Sequence, residues 1–419
     1  MNRLIYRFAV LVLEALGKTI SIFGTKARPF FTGRRQLASQ YASFGAEPHP
    51  NGTVWIHCAS LGEFEQGRPL LEELRRRSPQ LRILLTFFSP SGYEVRKNYP
   101  LADAVLYLPV DTPANARLVI DAVNPSLVIF VKYDFWPILL LELARRNVPV
   151  LAVSSIFRPD QIYFRWYGSF FLAALRTLRH VFVQDDRSAE LLKEVGMDRV
   201  TRAGDTRFDR VAALAGQAPR LDRMESFLGD HPCWVIGSAW IQDVKVLAPL
   251  IRALAGKWRF VIVPHEVDEP TLRAMESELG VETLRWSGWS NGAAESTATS
   301  VMLVDTIGIL SLAYRYARYA WVGGAFGKGL HNILEAAVYG VPVFFGNRNH
   351  RKFREAALLL EAGGAFAVGD HAALAGMFEV LEQDPERYRR AAEASAILVR
   401  QHRGATDMIV DHIFRHKLL

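Results

Sequence analysis

Three observations predict an α/β protein made of two parallel-sheet, Rossmann-like domains. Short apolar runs alternate with amphipathic helical stretches from Val54 to about Gly204, and the alternation starts afresh at Cys233 and continues to Phe345. The chain has 419 residues, more than one hydrophobic core ordinarily serves. Between the two series lies a stretch rich in Gly, Ala and Pro, around Ala212–Pro219, that reads as a hinge. The strand-like runs are continuously apolar, as expected of a parallel sheet covered by helices on both faces.

In chain order, Leu4 to Phe23 is apolar apart from Arg7, Glu14 and Lys18 inside it and Arg3 at its edge, and on a helix these four fall within about 60° of one another. Such a segment suits a helix lying in the lipid headgroup layer; a full span or an ordinary packed helix are the alternatives. The formal net charge is +7, and the first forty residues hold seven cations against one acid. That concentration points to an anionic membrane surface. A nucleic-acid groove would spread the charge along the chain with interleaved aromatics. Lys26, Arg28, Arg34 and Arg35 are the cations expected to meet phosphates there. Cys58 and Cys233 lie in strand-like runs without CxxC spacing, which argues against a disulfide framework or a cysteine zinc site.

The first-domain strands are expected at Val54–Cys58, Ile83–Phe87, Val105–Leu108, Leu127–Val131, Val150–Val153 and Val181–Val183. Those of the second domain are expected at Cys233–Ser238, Phe260–Val263, Val281–Leu284, Val301–Val304, Tyr319–Val322 and Val341–Phe345. Trp289–Thr299 reads as a surface loop. After Asp370 the chain reads as helical, with a last helix able to brace the first domain. The expected division is a membrane-anchoring segment, 1–33, a first domain, 34–205, a second, 206–404, and a C-terminal helix, 405–419.

Chemistry concentrates in a few places. Ala59-Ser60-Leu61-Gly62-Glu63 turns a strand into a helix, which puts Glu63 at the strand's carboxyl end, where open α/β sheets hold ligands. Glu63 there is either the glutamate of a capping box or a general base. Asp134 follows the next strand's end and is either a helix N-cap ahead of Pro137 or a second carboxylate on the same edge. Arg207 is either a solvated linker cation or a group that faces a ligand. Gly323-Gly324-Ala325-Phe326-Gly327-Lys328-Gly329 joins a strand to a helix and suits a phosphate or nucleotide, yet it is not a Walker A loop. Asn332-x-x-Glu335 is again a capping box or a ribose contact. His331 has no partner at metal-ligand spacing, so no metal is expected.

Six ordered motifs carry a resemblance that covers the chain to about Gly346. They are Ala59–Glu63, Phe135-Trp136-Pro137, Gly204–Asp209, Val263-Pro264-His265-Glu266, Asp305–Leu310, and Gly323-Gly324 through His331–Glu335. In these the chain resembles the Kdo transferases, which move 3-deoxy-D-manno-octulosonic acid (Kdo) from CMP-Kdo onto the lipid A precursor (lipid IVA) in lipopolysaccharide biosynthesis, at the cytoplasmic side of the inner membrane. The resemblance implies a glycosyltransferase-B fold, two Rossmann-like domains facing across a cleft, with an N-terminal membrane-associated helix. It implies Glu63 as general base and Asp134 and Arg207 as stabilisers of the transition state. It places CMP contacts on Pro264 and His265, on Gly308, Ile309 and Leu310, and on Asn332, Ile333, Leu334 and Glu335. No cofactor or metal is implied, and one base without a protein nucleophile implies inversion.

Departures from the family pattern are Asp134 where many members carry glutamate, Arg207 where others carry lysine, and Val244 and Lys245 where related chains are acidic. The rival readings are a glycosyltransferase-B enzyme using a uridine nucleotide sugar, a non-catalytic membrane-docked nucleotide-binding protein, and a nucleic-acid binder.

Overall fold

The apolar runs form fourteen strands in two sheets in the computed structural model, which describes residues 3–12, 30–31, 33–34, 36–47, 49, 52–289 and 299–419. Two units emerge: residues 1–209 with 403–419, and residues 210–402.

The first sheet comprises β1 (Thr53–Cys58), β2 (Arg82–Phe87), β3 (Ala104–Tyr107), β4 (Pro125–Val131), β5 (Val150–Ser155), β6 (His180–Val183) and β7 (Val200–Arg202). Its order is β3-β2-β1-β4-β5-β6-β7, with every pairing parallel. The second comprises β8 (Cys233–Ala239), β9 (Arg259–Pro264), β10 (Thr283–Arg285), β11 (Val301–Leu303), β12 (Tyr319–Val322), β13 (Val343–Gly346) and β14 (Ala365–Val368). Its order is β10-β11-β9-β8-β12-β13-β14, again all parallel. The central strands β1 and β8 are almost wholly buried, as parallel strands covered on both faces must be.

Packing in the first unit explains how its helices are placed. The helix Leu61–Arg77 buries Phe64, Leu70, Leu71 and Leu74, the stripe its sequence spacing marks. A Cβ at Gly67 would stand 2.9 Å from both Cys58 Sγ and Val131 Cγ2, so glycine lets this helix settle onto the ends of β1 and β4. Its first turn carries Glu63 and its last Arg75, Arg76 and Arg77, charges that suit the helix dipole. The C-terminal helix Ala405–Arg415 buries Ile409, Val410 and Ile413 in the same core cluster, and Arg77 pairs with Asp407 at 3.1 Å and Asp411 at 2.5 Å.

Several sequence expectations need correction. Strands β7 and β14 were not expected: Val200-Thr201-Arg202 is short and half polar, and only its register against β6 makes it a strand. The expected hinge is largely a helix, Arg207–Gln217, because Phe208 and Val211, one turn apart, bury against the protein. Of the proposed membrane segment, residues 3–12 form a helix and 13–29 lie outside the described residues, with Lys26 and Arg28; so do Arg35 and residues 290–298 of the expected surface loop. No helix among the described residues is long and apolar enough to cross a membrane.

The helix 3–12 turns Tyr6 inward onto Phe170 and Phe171, with its hydroxyl donating to Asp111 Oδ2 at 2.9 Å. Leu4, Ile5, Phe8, Leu11 and Val12 are left exposed. Arg34 is not the open phosphate-seeking cation the sequence suggested. Its guanidinium stacks on Phe30, Phe88 and Tyr107 and donates to the carbonyls of Phe30, Phe88 and Leu108, and burial lowers its pKa to about 10.

Candidate active site

In each sheet the strand order reverses beside one central strand, at β1/β4 in the first and β8/β12 in the second. In open α/β sheets that switch point, at the carboxyl ends of the strands, is where ligands bind.

At β1/β4 the structure gathers four ionisable groups. β1 ends at Cys58, and Glu63 stands in the first turn of the helix that follows, where Glu63 Oε2 accepts from the Ser60 N–H at 3.2 Å. The capping bond therefore exists, and it uses one carboxylate oxygen. Burial and the charge of Asp134 raise the Glu63 pKa, while His57 and Lys132 oppose the rise. Asp134 follows β4 and does not cap the helix Pro137–Arg145, whose first amides donate instead to Asp111, from Ile138 and Leu139 at 2.9 Å each. Lys132, a non-glycine residue at φ 66°, turns the chain sharply out of β4. His57 Nε2 lies 3.6 Å from Asp134 Oδ2.

Arg207 opens the helix Arg207–Gln217 and holds Asp205 through Nε at 3.0 Å and Nη2 at 2.7 Å. Asp205 is 3% exposed; burial alone would push its carboxyl up, and the Arg207 guanidinium overcomes this and holds it below the usual range. Gln66, one turn beyond Glu63, donates to the same Asp205 at 3.0 Å. Arg207 is thus fastened to the helix that carries Glu63 and is not a solvated linker cation.

At β8/β12 the chemistry is different. His265, after β9, stacks on Trp240, after β8, at 4.5 Å between ring centroids and on His331 at 4.4 Å; the Trp240 indole N–H donates to His331 Nε2 at 3.1 Å. Lys328 Nζ lies 4.6 Å from the Trp240 ring centre. Burial and the neighbouring His265 lower the His331 pKa to about 4, and burial likewise lowers that of His265. Both rings are neutral at pH 7.

Asn332 donates through Nδ2 to Glu335 Oε1 at 3.0 Å and accepts from Leu334 N–H at 3.3 Å. Ile333 precedes and Leu334 opens a helix of only four residues, Leu334–Ala337. Gly308 adopts φ 94° in the loop after β11, and Ile309 leads into the helix Leu310–Ala313. Pro264 ends β9. Every nucleotide-site residue expected from sequence therefore lies on the carboxyl side of this one parallel sheet.

The glycine loop does not present the open row of amides that the sequence suggested. Gly324 N–H donates to Asp243 Oδ2 at 3.1 Å, Gly327 and Gly329 both donate to the Gly324 carbonyl at 3.0 Å, and His331 donates to Gly323 at 3.2 Å. A Cβ at Gly323 would meet the Ser238 carbonyl oxygen at 2.3 Å, so glycine is needed for this fold-back onto β8. With no long helix behind it, the loop lacks the macrodipole support expected of a phosphate cradle. Sequence reasoning missed His57, Lys132, Trp240 and Asp243, which have no motif spacing of their own.

Residues 33–210 match the family model described as 3-deoxy-D-manno-octulosonic-acid transferase (kdotransferase). Over 397 residues the chain is 28% identical to the 3-deoxy-D-manno-octulosonic acid transferase of Haemophilus influenzae, covering 90% of each chain. The chain is similar to the Kdo transferases. The Aquifex aeolicus protein of the same name is 28% identical over 322 residues, 76% of this chain and 82% of that one. Among solved structures, the fold is similar to UDP-GlcNAc 2-epimerase from Neisseria meningitidis, with TM-score 0.61, 16% identity, and 87% and 100% of the two chains covered. It is also similar to Acinetobacter baumannii MurG, with TM-score 0.53, 13% identity, and 87% and 99% covered. These likenesses establish two parallel-sheet α/β domains of the glycosyltransferase-B kind, and the fold alone does not select a chemistry.

Proposed function

We propose that this glycosyltransferase moves Kdo from CMP-Kdo to a hydroxyl of the lipid A precursor lipid IVA, by an inverting, metal-independent displacement in which Glu63 is the general base. The observation that carries the reading is Glu63 itself. It is a partly buried carboxylate at the switch point of the first sheet, with its pKa raised by burial and by Asp134, the direction that makes a carboxylate a better base. The names of the similar 3-deoxy-D-manno-octulosonic acid transferases support the transferred sugar, and CMP-Kdo as donor follows from the motif resemblance.

The acceptor hydroxyl gives its proton to Glu63 as its oxygen bonds to the anomeric carbon of Kdo. The bond from that carbon to the cytidylate phosphate breaks, and the electron pair leaves on the phosphate oxygen. One displacement without a protein nucleophile inverts the anomeric centre. Asp134 faces the developing positive charge on the sugar, and Arg207 is the cation that stabilises the transition state. The second domain holds CMP through Pro264 and His265, Gly308 to Leu310, and Asn332 to Glu335. Chelation by EDTA is expected to leave transfer unchanged.

The acceptor is a lipid, and the exposed Leu4, Ile5, Phe8, Leu11 and Val12 support a site of action on the cytoplasmic face of the inner membrane. Trp166, 93% exposed beside Tyr167, is a second interfacial aromatic of the same domain. The double change Leu4→Asp and Phe8→Asp is expected to reduce flotation with anionic vesicles while leaving CMP binding intact; unchanged flotation would remove this helix from the membrane contact.

The deciding experiment incubates CMP-Kdo and lipid IVA with wild type and Glu63→Gln. The variant is expected to lose roughly 1,000-fold in kcat. Transfer at the wild-type rate would remove Glu63 as the base. A thermal shift given by CMP and not by UDP is expected, and the reverse would favour a uridine nucleotide sugar.

A further inference from the structure

His57 is 0% exposed in the middle of the first domain, and neither its Nε2 nor Asp134 Oδ2 has a hydrogen-bond partner among the described residues although both atoms are sealed from solvent. Two buried polar atoms without partners are costly, and such pairs mark places where a structure is set for something else. Their separation, 3.6 Å, is too short for a water to stand between them and slightly too long for a direct bond. A small rotation of the Asp134 side chain closes it, and catalytic hydrogen bonds often tighten in this way only when substrate is bound.

The far side of the ring fixes which hydrogen His57 offers. Trp55 Nε1 donates to Thr86 Oγ1 at 2.8 Å, and an indole can only donate. Thr86 Oγ1 has a second lone pair, but with these two partners its own hydrogen is paired only by going to His57 Nδ1, at 2.9 Å. Nδ1 is therefore the acceptor, and the ring hydrogen sits on Nε2, directed at Asp134. Phe130, 5.4 Å away between ring centroids, closes one side of the ring. The Asp134 side chain as a whole is 35% exposed, so one of its oxygens is turned inward to His57 while the group still reaches solvent.

Building on the reaction proposed above, we infer that His57 is a positioning residue, which through the Trp55–Thr86–His57 chain draws one oxygen of Asp134 inward and so aims the other at the reacting sugar. His57 itself touches neither sugar nor acceptor. No proton is transferred in this role; the hydrogen stays on Nε2.

A double-mutant cycle tests the idea. His57→Gln is expected to lower kcat by about 100-fold, the scale of a misplaced catalytic group, with KM for CMP-Kdo unchanged. In an Asp134→Asn background the same change is expected to cost almost nothing further, because the residue it acts through is already lost. Losses that multiply, or full kcat in His57→Gln, would overturn the proposal. If His57→Gln does not fold, nitrogen-15 NMR of the wild-type ring decides, with its signal assigned by the perturbation in Thr86→Val: hydrogen on Nε2 is required, and hydrogen on Nδ1 alone overturns it. That measurement needs no substrate, so it stands even if wild type fails to transfer Kdo, a result that would overturn the reading of the reaction instead.

Discussion

The two switch points share a topology and differ in almost everything else. At β1/β4 the loops bring Glu63 and Asp134 close enough for one charge to raise the other's pKa, with His57 and Lys132 beside them. At β8/β12 the buried carboxylate, Asp243, is turned to backbone: it accepts from Trp240 N–H at 2.9 Å and Gly324 N–H at 3.1 Å, and what faces the loops is a stack of an indole and two neutral imidazoles. A parallel sheet provides the place, and in the proposed reaction the residues just past its strands decide between moving a proton and holding a base or phosphate. In that reaction two like carboxylates crowded together serve as the acid–base centre, whereas a carboxylate with one oxygen held by two amides shapes a loop.

That contrast can be broken first at Glu63. Beyond the loss of transfer given above, Glu63→Gln is expected to keep the wild-type affinity for CMP; if CMP binding falls in parallel with transfer, the two switch points do not divide the work as argued. Asp134→Asn is the next largest effect, about 100-fold in kcat. It also carries a signed pH signature. The charge of Asp134 raises the Glu63 pKa, so removing it lowers that pKa, and the acid limb of the kcat/KM profile, where the base becomes protonated, should move to lower pH. A limb that stays in place would mean that Asp134 does not act on Glu63.

How much of this was legible in the chain follows from where the groups come from. Glu63 could be read because the strand, the turn and the carboxylate are contiguous in Val54–Glu63, so the sequence itself places the group at a sheet edge. His57 could not. It looks like one polar interruption of an apolar run, and its meaning comes from Thr86 on β2 and from Asp134 past β4, neighbours that only the strand order supplies. The Trp240, His265 and His331 stack was hidden in the same way, since its members follow three different strands. Arg207 stayed open between a linker cation and a ligand-facing group because glycine and proline around it suggest a linker, while Phe208 and Val211 bury and make a helix. Local motifs fix the elements, and the chemistry that depends on register across strands appears only after folding.

The smallest effect expected is at the second switch point, and it isolates a single hydrogen. Trp240 does two things there: its face stacks on His265, and its indole N–H donates to His331 Nε2 at 3.1 Å. Since His331 is neutral at pH 7, accepting at Nε2 leaves its hydrogen on Nδ1. Trp240→Phe keeps an aromatic face and deletes only the donor, so the imidazole is free to carry its hydrogen on either nitrogen. One neutral hydrogen bond contributes about 1 kcal/mol, so CMP affinity should fall roughly fivefold. The acid limb of kcat/KM should stay where it is, because Glu63 and Asp134 are untouched. Calorimetric titration with CMP, paired with the pH profile, separates the cases. A weaker affinity with an unmoved limb keeps proton transfer and nucleotide binding on different sheets, and a limb that moves with Trp240 would mean the two switch points share one titrating group.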